Sequence, residues 1–172
     1  MLTLKAEKRN PDEKAKKLRR EGFVTGNLFG REIEGSIPLK FTKKEIEVLL
    51  KNNNKGSQVM LELDGKTYDA LIKEVDYNPL AHTVEEVDFQ ALVSNEMVHS
   101  TAEIILENEE KVMSGVLQDE LKEVAYKALP ADLVDKIKVD VAGMKIGDTL
   151  RVKDLEIAKN KNIHITTDPE AV

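Results

Sequence analysis

Val59-Met60-Leu61-Glu62-Leu63-Asp64-Gly65-Lys66-Thr67-Tyr68-Asp69-Ala70-Leu71-Ile72-Lys73-Glu74-Val75 reads as a β-hairpin. Two runs of strand-forming side chains meet at Asp64-Gly65, the residue pair that most readily supplies the positive φ values of a type I′ turn. Asn78-Pro79 breaks the second run, because proline has no N–H to give to a ladder. Residues 84–91 read as a further strand.

On the N-terminal side of the hairpin, Thr42-Lys43-Lys44-Glu45 has capping-box spacing, and Ile46, Leu49 and Leu50 recur at i, i+3 and i+4. This predicts an amphipathic packing helix that ends near Asn52-Asn53-Asn54-Lys55-Gly56. Further upstream, residues 5–20 hold eight Lys or Arg against three acids, a local +5 in a chain of net charge −6. Asn10 as N-cap, Pro11 at the first helical position, Asp12 and Glu13 at the positive end of the dipole and Gly22 as the stop predict a short helix. Only Ala15 and Leu18 are apolar in it, so most of its circumference is polar, with Lys16 and Arg20 one turn apart. Two readings stand: a docking surface for an anionic partner such as nucleic acid, or a solvated helix face.

Past residue 92 the character changes. Residues 1–92 carry 16 basic and 16 acidic side chains, whereas residues 93–172 carry 10 and 16, so all of the excess negative charge lies in the second part. This predicts two domains, 1–92 and 93–172. The second is β-rich: Val124, Tyr126 and Ala128 alternate with charged residues, as do Ile137, Val139 and Val141. Leu150 and Val152 follow a Gly147-Asp148 turn, and Ile163 and Ile165 flank His164. Leu129-Pro130-Ala131-Asp132-Leu133 reads as a corner. The expected fold class is mainly β with a few helices (α+β).

At 172 residues, 41% hydrophobic and 34% charged, the composition is that of an ordinary soluble protein. The absence of cysteine excludes disulfides and thiolate metal sites. No signal peptide or membrane-length apolar run is read, so a cytoplasmic address without membrane is expected. His82, His99 and His164 lack ligand spacing, and there is no nucleophile elbow or glycine-rich phosphate loop. The sequence therefore predicts neither enzyme, metal, cofactor nor small-molecule substrate.

Ala6-Glu7-Lys8-Arg9, Lys17-Leu18-Arg19-Arg20-Glu21-Gly22, Leu28-Phe29-Gly30 and Val87-Asp88-Phe89 stand in an order and spacing that resemble a known family. It is the long form of the bacterial large-subunit ribosomal protein that binds 5S rRNA, the general stress protein Ctc family. Gly115-Val116-Leu117-Gln118, Leu129-Pro130-Ala131-Asp132, Val139-Asp140-Val141-Ala142-Gly143, Ile146-Gly147-Asp148-Thr149-Leu150 and Asp154-Leu155 extend the resemblance over nearly the whole chain. It implies an N-terminal β-barrel with helices that holds 5S rRNA, followed by a C-terminal β-domain, within the large ribosomal subunit. It also implies an RNA face of Arg9, Lys16, Lys17, Arg19, Arg20, Phe29 and Asp88, where Phe29 is either an RNA contact or part of the barrel wall.

On that implied face the chain departs from the family pattern. Phe29 stands for tyrosine, Gly26 for proline, Asp76 for glutamine, Tyr77 for a basic residue and Glu86 for histidine. Carboxylates in place of an amide and an imidazole bring like charge toward phosphates and remove hydrogen-bond donors. The resemblance thus leaves two functional classes: a 5S rRNA-binding ribosomal protein, or a divergent paralogue that kept the scaffold and serves in stress or in protein interaction.

Overall fold

The Asp64-Gly65 turn sits where the hairpin pattern puts it, with φ of 50° and 79°, in the computed structural model. The structure describes residues 3–10, 12–31, 33–108, 121–145 and 147–168, so Pro11, Gly115-Val116-Leu117-Gln118 and Ile146 lie outside the described residues. The chain divides into two compact units, residues 1–94 and 95–172.

The first unit runs β1 (Thr3–Lys8), α1 (Ala15–Arg20), β2 (Phe23–Phe29), β3 (Ser36–Thr42), α2 (Lys43–Asn52), β4 (Gln58–Leu63), β5 (Lys66–Asn78) and β6 (Thr83–Ala91). Its six strands close into a barrel in the order β1-β3-β2-β6-β5-β4. Two parallel pairings, β1 with β4 and β2 with β6, complete what the antiparallel hairpins leave open. Alternation explains the closure: Leu4 and Ala6, Val24 and Leu28, Leu39 and Phe41, and Val87 and Phe89 point inward from their strands and are buried. The Phe41 and Phe89 rings meet at 5.5 Å and 52°. Helix α2 adds Ile46 and Leu49 to the same core, and Thr42 Oγ1 accepts the Glu45 N–H at 3.2 Å as its N-cap.

Helix α1 starts one turn later than the sequence signals place it. The Asn10 side chain accepts the Asp12 N–H at 3.0 Å and its carbonyl accepts the Glu13 N–H at 2.9 Å, so Asn10 closes a turn ahead of the helix instead of capping it. Lys14 is the N-cap, without a side-chain bond. Gly22, at φ +92°, ends the helix as its signal requires.

The second unit holds β7 (Val98–Glu107), β8 (Glu123–Ala128), β9 (Lys136–Asp140) and β10 (His164–Ile165), in a four-stranded sheet of order β10-β8-β7-β9. Tyr126 is fully buried; its hydroxyl donates to the Val134 carbonyl at 2.6 Å and accepts the Val134 N–H at 2.8 Å. Pro130–Asp132 forms the 3-10 corner between β8 and β9. Leu150 and Val152 are not strand residues: Val152 opens a 3-10 turn, Val152–Asp154, and is buried there, so its apolar character reflects burial and not sheet.

Candidate nucleic-acid interface

Barrel registers place outward-facing side chains in rows. One row runs from Asp76 on β5 to Glu86 on β6, Thr25 on β2 and Lys40 on β3. The next runs from Glu74 to Asp88, Asn27 and Pro38, whose carbonyl accepts the Arg9 N–H at 2.9 Å. A third joins Gln90, Phe29 and Ser36. Arg9, Phe29, Asp76, Glu86 and Asp88, picked out separately along the sequence, thus belong to adjoining rows of one outer surface.

Helix α1 lies against β2 and gives this surface its cations. Arg19 is half-buried: Nη2 donates to Thr25 Oγ1 at 3.1 Å and Nε to the Glu85 carbonyl at 3.2 Å, while Thr25 itself donates to that carbonyl at 3.3 Å. Glu85 is the extra residue of a β-bulge, since Asp76 pairs with Glu86 and Tyr77 with Val84. Arg19 is therefore part of the scaffold, whereas Lys16, Lys17 and Arg20 are exposed and have no ion-pair partner among the described residues. Leu18 anchors the helix from beneath at 1% exposure.

Asn27 organises the carboxylates. Its Nδ2 donates to Glu86 Oε1 at 3.4 Å and to Asp88 Oδ1 at 3.3 Å, bridging two acids on β6. Burial, then Asp88, then Asp76 push the Glu86 carboxyl above its ordinary range, against the opposing pull of Arg19 and Arg9. The surface is thus a carboxylate strip bordered by guanidinium groups. Thr25 and Asn27 were missed by sequence reasoning; two polar residues at alternate positions of the otherwise apolar Phe23–Phe29 were the available signal.

Phe29 alternates outward from the buried Leu28 and is not a member of the core. Tyr77 is 54% exposed, with its hydroxyl 3.4 Å from His82 Nδ1 near the β5–β6 turn. Gly26 corrects the sequence reading: it is buried, and a Cβ built there would meet the Val87 carbonyl oxygen at 2.0 Å and Phe41 Cε2 at 3.3 Å. Only glycine allows β2 and β6 to approach so closely, so Gly26 serves barrel packing and is not on the outer face.

Among the described residues, no group of three or more His, Cys, Asp or Glu is placed to hold a metal ion, and no helix is long and apolar enough to cross a membrane. The first unit is thus a closed β-barrel that carries a cationic helix beside a strip of hydrogen-bonded polar side chains. The family model described as Ribosomal L25p family matches residues 4–89, and that of ribosomal protein TL5, C-terminal domain, matches residues 97–172. The chain belongs to the Ribosomal L25p family, in the long form with the TL5-type second domain; the family is one of ribosomal proteins, not enzymes. Among its relatives, a protein of Carboxydothermus hydrogenoformans named large ribosomal subunit protein bL25 is 32% identical over 158 residues, covering 91% of this chain and 78% of the relative. The protein of that name from Bacillus velezensis is 30% identical over 176 residues, covering 100% and 86%.

Proposed function

We propose that this chain is a cytoplasmic component of the bacterial large ribosomal subunit that binds 5S rRNA through the outer barrel face and helix α1. The observation that carries this reading is the exposed trio Lys16, Lys17 and Arg20, unpaired among the described residues, beside a surface of fixed hydrogen-bonding groups. Unpaired cations hold phosphates and set affinity, while ordered side chains such as Asn27, Asp88 and Phe29 meet the wide minor groove, its 2′-hydroxyls and base edges. The names of the relatives support the ribosomal part of the proposal.

The carboxylate strip favours a second reading. Asp76 and Glu86 lie directly opposite each other and beside Asp88, an arrangement that repels phosphate, as in a paralogue that kept the barrel and gave up RNA. A titration of labelled 5S rRNA with the full chain separates the two. About five phosphate contacts give a log–log salt slope near −4 to −5. Absence of saturable binding at about 50 mM salt, where such contacts are strong, overturns the RNA reading.

A further inference from the structure

The second barrel row has a cation at each end. Arg9 stands at one end through the Pro38 carbonyl; the row then crosses Asn27, Asp88 and Glu74, and Lys55 Nζ lies 3.8 Å from Glu74 Oε2 at the other. Lys73 adds a second ammonium there. It is the extra residue of a bulge, because Ile72 pairs with Phe89 and Glu74 with Asp88, so that Lys73 falls between two rungs of the β5–β6 ladder. Gly56, next to Lys55, donates its N–H to the Ile72 carbonyl at 2.9 Å, which fixes the segment before β4 beside that bulge.

We propose that Lys55 and Lys73 form a second phosphate-binding pair, so that RNA is gripped from both flanks of the carboxylate strip. This rests on the RNA-binding reading above and adds to it residues on β5 and before β4. The spacing suits a groove. β2 and β5 are two strand spacings apart, roughly 10 Å, so cations reaching in from α1 and from Lys55 and Lys73 stand over opposite sides of β6. A duplex laid this way presents phosphates to the two flanks and its groove floor to the strip. Glu86 and Asp88 then face 2′-hydroxyls and amino groups, which donate hydrogen bonds, instead of phosphates. The carboxylates and the cations thereby cease to conflict. Burial and the neighbouring Lys55 lower the Lys73 ammonium pKa, with Glu74 opposing; an anion arriving at this point relieves that like-charge contact.

The test is an anisotropy titration of labelled bacterial 5S rRNA with the full chain at several salt concentrations between about 50 and 200 mM, the range over which phosphate contacts change affinity most visibly. Lys55→Gln/Lys73→Gln is expected to weaken binding about tenfold or more at low salt and to reduce the slope by about 1 to 2. Lys159→Gln/Lys161→Gln, an equal charge change at exposed positions of the second unit, is expected to leave both unchanged. A folded double variant with the parent slope and affinity overturns the second pair while the RNA reading stands. A parent chain without saturable binding overturns both. Should the double variant fail to fold, Lys55→Gln alone decides: Lys55 is partly exposed, and a slope reduced by about 1 supports the proposal whereas an unchanged slope refutes it.

Discussion

The two units differ in how their sheets end and in how their charge is balanced. In residues 1–94 the strands close on themselves and leave no edge to pair, and charge of each sign is gathered: cations on α1, carboxylates on β5 and β6. Among the described residues of 95–172 the sheet is open, ending on β9 and the two-residue β10. Both units hold local ion pairs, such as Lys8 and Asp64 at 3.2 Å in the first and Lys138 and Glu107 at 4.0 Å in the second, but only the second carries a net excess of acid. The contrast teaches that a unit's net charge is a poor guide to its local surface charge. The first unit sums to about zero and still presents a locally cationic surface, because a screened potential decays within roughly 8 to 10 Å at ordinary salt and reports the nearest groups.

The comparison breaks most sharply under charge reversal. Lys16→Glu/Lys17→Glu/Arg20→Glu is expected to weaken 5S rRNA binding by about 100-fold or more, with the circular dichroism and melting temperature of the parent, because these side chains touch no core. The same three-charge reversal in the second unit, Lys145→Glu/Lys159→Glu/Lys161→Glu, is expected to change affinity by no more than about threefold, through long-range charge that salt screens. Equal losses from both sets would show that the two units do not differ in the way described. Arg19 is left out of the variant: its bonds to Thr25 and the Glu85 carbonyl make it structural as well.

A smaller effect tests the strip. Glu86→His with Asp76→Gln keeps hydrogen-bond acceptors toward the groove floor but removes two charges that repel the flanking phosphates at a distance, and is expected to tighten binding several-fold at low salt, about 1 kcal/mol or less, with the gain fading as salt is raised. A flat response would mean that the two groups lie off the bound RNA.

The smallest effect concerns pH. Glu86 has its pKa raised in the folded chain, so between its ordinary value and that raised value the folded state holds more proton than the unfolded one. Stability is therefore lost as pH rises through this window, and the loss persists at neutral pH. Glu86→Gln keeps an oxygen to accept from Asn27 and removes the charge; it is expected to melt about 2 °C higher at pH 7, with the difference closing below the carboxylate range. A melting difference that is the same at acid and neutral pH would contradict the assignment.

What could be read in the sequence is what depends on neighbours in the chain. Asp64-Gly65 and the Thr42 cap act within a few residues, and both appear as their chemistry demands. The barrel itself came through resemblance, since its closure depends on Thr3–Lys8 pairing with Gln58–Leu63 more than fifty residues away. The alternation of Leu4 and Ala6 is present, but Lys5 between them and Glu7 and Lys8 after them read as a charged surface run. The same limit hid the site's order. Arg19 and Arg20 look alike in sequence, and only the fold of β2 and β6 against α1 separates a guanidinium that braces the scaffold from one left exposed. Gly26 was misplaced for a related reason: its need for a missing side chain comes from the Val87 carbonyl on another strand.

The most direct measurement is to express residues 1–94 and residues 95–172 separately and titrate each with labelled 5S rRNA across a salt series. The expected result is that residues 1–94, once shown by circular dichroism to be folded, bind within about threefold of the full chain and with the same slope near −4 to −5, while residues 95–172 do not bind. A folded first unit that does not bind, or RNA affinity carried by the acidic second unit, would contradict the account.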